Sequence, residues 1–229
     1  MIRTVIFDID NTLFDNIGFD RIVTHEILAP YVEKAFGWSE EEYQSRLLEV
    51  TDAFIARNGC IGSCRNRLIR YQLMMEKAGF PVYPHALKMY EMYWDAMLSR
   101  MTPYEGAEEV LAELRRRGIK IGIGSDMTAE IQYRKLRSIG LIQYVDFMVT
   151  SEEAGVEKPD ERFFRLCLKK ALCAPSECLF VGDVIFKDYL GAKAAGMQTV
   201  WFNSRNLPHE PGITEITSLA EILDRSDMG

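Results

Sequence analysis

The stretch that decides the fold is TVIFDIDNTL, residues 4–13. Its first four residues are β-branched or aromatic and are followed by Asp8, a pattern typical of a short buried strand that ends in a loop. Segments of the same character recur at residues 120–124, 147–149, 179–181 and 199–202. The sequence therefore predicts five short strands, and the first of them ends at an aspartate.

Helical patterns alternate with these strands from about residue 103 onward. Apolar residues recur at helical spacing over residues 107–114, 131–136 and 163–171, and each pattern stops near a Gly or a Pro. Strict alternation of helix and strand predicts right-handed crossovers, and hence a doubly wound parallel sheet with helices on both faces. We therefore assign the chain to the α/β class.

The region from residue 15 to residue 102 breaks this alternation, because it contains several helical patterns and no convincing strand. Ser39 and Glu42 form a capping-box signal, and a second helix is expected over residues 66–78, before Gly79. The third helix is expected to bury the face that carries Leu87, Tyr90, Trp94 and Met97. We predict an inserted helical domain over residues 15–102 and a core domain formed by residues 1–14 and 103–229.

Composition excludes several classes of protein. With 48% hydrophobic and 27% charged residues, the chain is typical of a soluble globular protein and not of a disordered one. The 27 basic and 34 acidic residues give a net charge of −7, with no basic stripe, so we expect no nucleic-acid partner, no membrane contact and a cytoplasmic location. Five scattered cysteines indicate reduced thiols, and Cys60 and Cys64 lack the second Cys/His pair that a zinc site needs.

Polar side chains follow the predicted strands at one edge of the sheet, where open α/β sheets bind their ligands. These residues are Asp8, Asp10, Ser125, Asp126, Lys158, Asp183 and Asp188. Each of them taken singly could be a turn residue or a helix cap. Several carboxylates that converge without an arginine repel one another, however, and are stable together only with a cation. Oxygen-only ligands favour Mg²⁺, which commonly binds one or two carboxylates, water and substrate phosphate oxygens.

The same residues resemble the four ordered motifs of the haloacid dehalogenase-like superfamily of hydrolases. The matching residues are Asp8-x-Asp10-x-Thr12, Ser125, Lys158, and Gly182-Asp183 with Asp188. The resemblance extends from Thr4 to about Asn203, and the inserted helical domain is similar to the helical cap of that family. It implies a Rossmann-like core and, for most members, phosphoryl transfer through an aspartyl-phosphate.

The resemblance also implies a role for each matching residue. Asp8 corresponds to the nucleophile, and Asp10 to the general acid and base. Ser125 and Lys158 correspond to groups that bind the phosphoryl oxygens, and we include Thr12 and Asp126 among the substrate-binding candidates. The metal ligands implied are Asp8, the main-chain carbonyl of Asp10, Asp183 and Asp188.

Two details bear on the type of hydrolase. Dehalogenases of the superfamily lack the second aspartate of the first motif, so Asp10 favours a phosphatase. Asp126 departs from the pattern, because many phosphatases of this type have Asn at that position. Its carboxylate adds negative charge near a site for a dianion, so we expect it to face away or to contact another group.

We therefore predict a magnesium-dependent phosphatase that acts on a small phosphorylated metabolite, such as a sugar phosphate, phosphoglycolate or a nucleotide monophosphate. A phosphomutase of the same superfamily is the alternative within enzymes, and a phospho-acceptor signalling domain is the alternative outside them. The Gly-rich, Arg-flanked segment at residues 57–65 is a candidate for substrate contact in the inserted domain, where a solvated helix connection is the competing interpretation.

Overall fold

The structure, a computed structural model, describes residues 1–59 and 61–228, so Cys60 of the segment at residues 57–65 lies outside the described residues. The chain divides into two compact units. Residues 1–15 and 102–229 form the first, which we call the core unit, and residues 16–101 form the second, the helical unit. No described helix is long and apolar enough to cross a membrane.

A parallel sheet organises the core unit, as the sequence predicts, and it has six strands where five were expected. Its strands are β1 (Thr4–Phe7), β2 (Lys120–Ser125), β3 (Phe147–Thr150), β4 (Cys178–Gly182), β5 (Gln198–Phe202) and β6 (Glu215–Ile216). The strand order is β3-β2-β1-β4-β5-β6, so the chain moves outward from β1 to β3 and then returns to the other side of β1. The order therefore reverses beside β1, which is where sheets of this type bind ligands.

Strand β6 is absent from the sequence prediction. It has two residues, Glu215 and Ile216, and follows β5 at the edge of the sheet. A pair of residues is too short to show the alternation by which a strand is recognised. It extends the sheet without changing its topology.

The helical unit has five α-helices in the described residues, with a short π-helix at Thr24–Leu28 and a 3-10 turn at Gly62–Arg65. They are α1 (Asn16–Val23), α2 (Ala29–Phe36), α3 (Glu40–Asn58), α4 (Arg67–Ala78) and α5 (Val82–Arg100). Ser39 caps α3 by accepting the backbone N–H of Glu42, at 3.2 Å, and left-handed Gly79 (φ +75°) ends α4. Both signals were readable in the sequence because they depend on neighbouring residues only.

The buried face of α5 differs from the prediction. Met89 and Tyr93 are buried with Trp94 and Met97, whereas Leu87 is 44% exposed. The Tyr93 hydroxyl donates to Asp20 Oδ1, at 2.6 Å, which fixes the rotation of the helix about this residue. The buried face therefore includes Met89 and Tyr93, which the predicted stripe omitted, and excludes Leu87.

Five α-helices accompany the sheet in the part of the core unit that the structure describes. They are α6 (Ala107–Arg116), α7 (Ala129–Ser138), α8 (Ser151–Ala154), α9 (Glu161–Ala171) and α10 (Gly191–Ala194). Residues of α9 and α10 pack in one cluster with fully buried strand residues such as Ile6 and Phe180, and Phe164 of α9 lies edge-on to Phe180 at 5.4 Å between ring centroids. This packing holds the strands in place, and with them the starting points of the loops that follow β1 and β4.

Candidate active site

Asp8 lies directly after β1 and is almost fully buried. Its backbone N–H donates to the carbonyl of Val181 in β4, at 2.9 Å, so the sheet ladder still holds the residue as the strand ends. Lys158 Nζ lies 3.0 Å from Asp8 Oδ1 and donates to the Gly124 carbonyl, at 3.1 Å. The lysine thus fixes the aspartate against the ends of β1 and β2.

The loop after β4 supplies two more buried carboxylates. Asp188 Oδ1 lies 2.6 Å from Lys158 Nζ, and Asp188 Oδ2 accepts the Val184 N–H, at 3.0 Å. Trp201 Nε1 donates to the main-chain carbonyl of Asp183, at 2.9 Å, and anchors that residue. Gly182 permits this arrangement, because a Cβ there would lie 2.4 Å from Asp188 Cγ.

Asp8, Asp183 and Asp188 form one acidic cluster, with a carboxylate oxygen from each lying within 4.8 Å of the other two. Burial, together with the neighbouring charges of Asp8 and Asp188, raises the pKa of Asp183 to about 7. Burial also raises the pKa of Asp188, although Lys158 opposes the shift. Three carboxylates therefore face two cationic groups, the Lys158 ammonium and the Arg205 guanidinium, so the cluster keeps an excess negative charge.

The donor set fits a divalent cation. Asp8 Oδ1, Asp183 Oδ2 and Asp188 Oδ1 are buried oxygens without a hydrogen bond among the described residues. The first and the last are ion-paired with Lys158, and Asp183 Oδ2 is ion-paired with Arg205. Buried carboxylate oxygens of this kind are the ligands that Mg²⁺ prefers. Burial alone would lower the pKa of Lys158, but Asp188 and Asp8 outweigh it and raise the pKa well above its usual range, so this ammonium stays charged.

Asp10 is held by a lysine that sequence reasoning missed. Lys135 of α7 is 1% exposed, and its Nζ donates to Asp10 Oδ1, at 2.6 Å, and to Oδ2, at 2.9 Å. A signal was present in the sequence, because Lys135 follows Ile131 by four residues and so lies on the apolar stripe of the helix. A charged residue on a buried stripe needs a partner, and here the partner is Asp10.

Ser125 ends β2 and is buried. Gln132 Nε2 of α7 donates to Ser125 Oγ, at 2.8 Å, so the serine hydroxyl is left with its own proton to donate elsewhere. Thr12 is also fully buried, and its Oγ1 has no hydrogen-bond partner among the described residues. Gln132 is a second supporting residue that the sequence analysis did not single out.

The carboxylate of Asp126 is committed to the protein itself, which argues against its inclusion among the substrate-binding side chains. Oδ1 accepts the backbone N–H of Lys158, at 3.0 Å, and Oδ2 pairs with Lys187 Nζ, at 2.8 Å. Lys187 also lies 3.1 Å from Glu157 Oε2. Asp126 therefore connects the β2 loop to the Lys158 loop and to the loop that carries Asp188, and its negative charge is balanced by Lys187.

The structure thus sorts the predicted residues into groups. Asp8, Lys158, Asp183 and Asp188 form a single buried cluster. Asp10 and Ser125 lie at the ends of the adjacent strands, each bound to a polar residue of α7. Arg205, which the sequence analysis also missed, lies 3.6 Å from Asp183 Oδ2.

Comparison with known proteins adds independent information. A family model described as haloacid dehalogenase-like hydrolase matches residues 2–196. The chain is 33% identical over 208 residues to a ribulose-1,5-bisphosphate 5-phosphatase of Halopiger xanaduensis, covering 89% of this chain and 85% of that protein. It is 30% identical to the pyrimidine 5'-nucleotidase YjjG of Escherichia coli, with 95% of each chain covered.

Solved structures share the fold at lower sequence identity. A 2-haloacid dehalogenase from Pseudomonas syringae pv. Tomato superposes with a TM-score of 0.77 at 23% identity, covering 98% of this chain and 97% of that one. A phosphatase from Thermococcus onnurineus superposes with a TM-score of 0.73, also at 23% identity, with 97% of each chain covered. Both establish the fold alone.

Proposed function

The chain belongs to the haloacid dehalogenase-like hydrolases, and on that premise we propose that it is a magnesium-dependent phosphatase that hydrolyses small phosphomonoesters through an aspartyl-phosphate on Asp8. Hydrolysis of phosphoric monoesters is the activity named for the similar curated proteins. The aspartyl-phosphate, the metal and the roles of the individual residues rest on the arrangement of the site.

The observation that carries the proposal is the surroundings of Asp8. The carboxylate stands at the end of the central strand, 3.0 Å from a buried ammonium and beside two further carboxylates. Lys158 and a bound cation together would offset the charge that otherwise opposes the approach of a phosphate dianion to Asp8. An oriented carboxylate in such surroundings is suited to in-line attack on phosphorus.

Asp8, Asp183 and Asp188 would hold the metal, together with the main-chain carbonyl of Asp10. When bound, Mg²⁺ supplies Lewis-acid stabilisation of the negative charge on the phosphoryl oxygens. The carboxylates with raised pKa values are the ones that a cation would return to the ionised form.

The protein groups then divide the reaction between them. The Asp8 carboxylate oxygen forms a bond to phosphorus as the bond from phosphorus to the leaving oxygen breaks, and Asp10 gives that oxygen a proton. A water molecule next attacks phosphorus, Asp10 takes its proton, and the bond to Asp8 breaks to release phosphate. Lys158 binds the phosphoryl oxygens in both steps, and the Ser125 hydroxyl, oriented by Gln132, donates its proton to one of them.

Magnitudes show why so many groups are needed. Enzymes that act on phosphate monoesters reach accelerations of up to about 10²¹, whereas one acid-base residue supplies roughly 10² to 10⁴. Asp10 alone therefore accounts for a small part of the rate. Most of the barrier reduction falls to electrostatic stabilisation by Lys158 and the cation, and to the fixed position of Asp8.

Asp10 also favours phosphoryl transfer over carbon–halogen cleavage. Departure of a halide needs no proton, whereas an alkoxide leaving group does, and Asp10 is held by Lys135 in the position of an acid-base residue. We accordingly assign a phosphate ester, and not a haloacid, as the substrate class.

The test is phosphate release from a panel of sugar phosphates, nucleoside monophosphates and phosphoglycolate, with Mg²⁺ present and with chelator present. We expect multiple turnovers for at least one ester, and only with the metal. Transfer of phosphate between positions of one sugar without its release would identify a phosphomutase instead. Phosphorylation of Asp8 without turnover on any ester would identify a phospho-acceptor domain.

A further inference from the structure

Two thiols lie in contact at the edge of the sheet opposite to the candidate active site. Cys178 is the first residue of β4, and Asp183 follows the last residue of that strand, about 16 Å away for five residues of extended chain. Cys173 Sγ lies 3.2 Å from Cys178 Sγ and 3.5 Å from Thr4 Oγ1 of β1. Both cysteines are unbridged, so they form an unoxidised dithiol.

The two thiols differ in their access to solvent. Cys178, in β4, is fully buried in the hydrophobic core, whereas Cys173 is partly exposed. Cys173 lines a cavity of about 800 Å³ whose walls are the beginnings of β1 and β2 and the end of α9. A small molecule that enters this cavity therefore reaches Cys173 first, and reaches Cys178 only through it.

The cavity is positively charged although the protein is acidic. Its charged lining residues are Arg3, Arg116, Arg117 and Lys120, with no carboxylate among the described lining residues. Glu113 and Glu177 lie behind the arginines and pair with them. The four cationic lining residues outnumber these two carboxylates, so the cavity has a net positive charge and attracts anionic solutes.

We propose that Cys173 and Cys178 form a redox-active dithiol that reduces small anionic disulfides entering this cavity, becoming an intramolecular disulfide itself. The Cys173 thiolate attacks one sulfur of the small disulfide, and the other half leaves as a thiolate. The Cys178 thiolate then attacks the Cys173 sulfur, and the second half leaves as a thiolate. Two protein thiols give up two protons and two electrons, and one small disulfide becomes two thiols.

The environment of Cys178 sets this order of reaction. Burial raises the pKa of Cys178 well above its usual range, and the hydrogen bond with Cys173 and the charge of Cys173 act in the same direction. Cys178 therefore keeps its proton while Cys173, the partly exposed thiol of the pair, makes the first attack. Once Cys173 carries the mixed disulfide, the 3.2 Å contact gives Cys178 a high effective concentration at the sulfur it attacks.

The experiment uses the full chain with Cys60, which lies outside the described residues, replaced by serine. The reduced, folded protein is treated with glutathione disulfide, quenched with acid and analysed by intact mass and peptide mapping. We expect a mass lower by two hydrogens, a single bridge between Cys173 and Cys178, and free thiols at Cys64 and Cys167, which are buried. Retention of all four thiols, or a stable adduct on Cys173 without the bridge, would overturn the proposal.

Two variants separate the steps. In Cys178→Ala the reaction is expected to stop at a glutathione adduct on Cys173, and in Cys173→Ala no adduct is expected, because Cys178 is buried. Thermal unfolding of each variant shows whether it still folds. The peptide map of the protein that retains both cysteines does not depend on the stability of either variant. An adduct on Cys178 in folded Cys173→Ala would contradict the assigned order.

A comparison of probes tests the role of the cavity charge. Glutathione disulfide is anionic and cystamine is cationic. We therefore expect the bridging rate with glutathione disulfide, divided by the bridging rate with cystamine, to fall at least about threefold in Arg116→Glu at low salt. Arg162→Glu is the matched control, since Arg162 is an exposed arginine at the start of α9, the helix end remote from Cys173. An unchanged ratio in Arg116→Glu, or an equal fall in Arg162→Glu, would show that the cavity does not select the disulfide.

Discussion

Lys135 is the residue that gives Asp10 a defined position. A lysine buried to 1% exposure is stable only with a partner of opposite charge, and both oxygens of Asp10 serve as that partner. Met127 Sδ lies 3.6 Å from the same ammonium, and the Phe14 ring lies 5.7 Å away. The lysine therefore has one favourable position, and Asp10 takes its orientation from it.

Replacing Lys135 with Met should lower kcat about 10- to 100-fold, less than removal of an acid-base residue itself costs. KM should change little, because Lys135 orients Asp10 and does not bind the substrate. The loss should be larger for an alkyl phosphate, whose leaving group needs a proton, than for p-nitrophenyl phosphate, whose leaving group does not. Initial rates on both esters measure this.

The control for that comparison is Lys169→Met, which removes an exposed lysine from α9. It should leave both rates unchanged. Equal losses on the two esters in Lys135→Met would mean that the lysine supports the fold of the site and does not position the acid.

Substitution of Asp126 tests whether its carboxylate contacts the protein alone or also the substrate. In Asp126→Asn the amide oxygen still accepts the Lys158 N–H, and Lys187 keeps Glu157, so kcat/KM should stay within about threefold of the parent. Asp126→Ala loses the acceptor and should lower kcat/KM roughly 3- to 10-fold, the equivalent of a hydrogen bond worth about 1 kcal/mol. Steady-state kinetics measure both. A large rise in KM for the Asn variant would instead indicate direct contact between Asp126 and substrate.

Among the helices, α9 shows how an N-cap, here Asp160, responds to pH. Asp160 Oδ1 accepts the Arg162 N–H, at 2.9 Å, and hydrogen bonds from the Arg162 side chain and then its backbone lower the pKa of Asp160 to about 2. A carboxylate whose pKa is lower in the folded chain stabilises the fold above its unfolded pKa. That contribution is lost as the pH falls through the folded value.

Asp160→Ala should therefore lower Tm near neutral pH by about 2–4 °C, since an N-cap is worth about 1 kcal/mol. The difference in Tm from the parent should narrow as the pH falls from about 4 towards 2, where the parent carboxylate also becomes protonated. Calorimetry across that range measures it. A difference that is constant down to pH 2 would contradict the charge-assisted cap.

Local signals account for the parts of the fold that the sequence predicts. The five longer strands and the caps at Ser39 and Gly79 depend on neighbouring residues, so pattern and turn chemistry suffice. The two residues of β6 carry no pattern, and the rotation of α5 depends on the contact between Tyr93 and Asp20, which are far apart in sequence. Those features follow from tertiary contacts.

The same distinction applies to the site. Asp8 and Lys158 are recognisable because strand ends and a known motif place them, and the structure brings them within 3.0 Å. The contacts of Lys135 with Asp10 span 125 residues of chain, and those of Lys187 with Asp126 span 61. Such pairs become visible only when the sheet has assembled the loops that carry them.

For the whole molecule, the acidic cluster predicts that metal binding stabilises the fold. Because a cation binds the folded cluster and not the unfolded chain, saturating Mg²⁺ should raise Tm by several degrees, as about 2.7 kcal/mol is gained at a hundredfold excess over Kd. Asp183→Asn should abolish most of that rise, and chelator should abolish turnover. Differential scanning calorimetry with and without Mg²⁺ tests this. Full activity in excess chelator would contradict the metal assignment.

The central claim is that Asp8 becomes phosphorylated during turnover, and trapping the phosphoenzyme tests it most directly. Asp10→Asn, mixed with substrate and Mg²⁺ and quenched in acid, should release a burst of leaving group and gain the mass of one phosphoryl group, mapped to Asp8. The double variant Asp8→Asn, Asp10→Asn should gain none. A burst without a covalent phosphoryl group, or a phosphoryl group on any residue other than Asp8, would contradict the account.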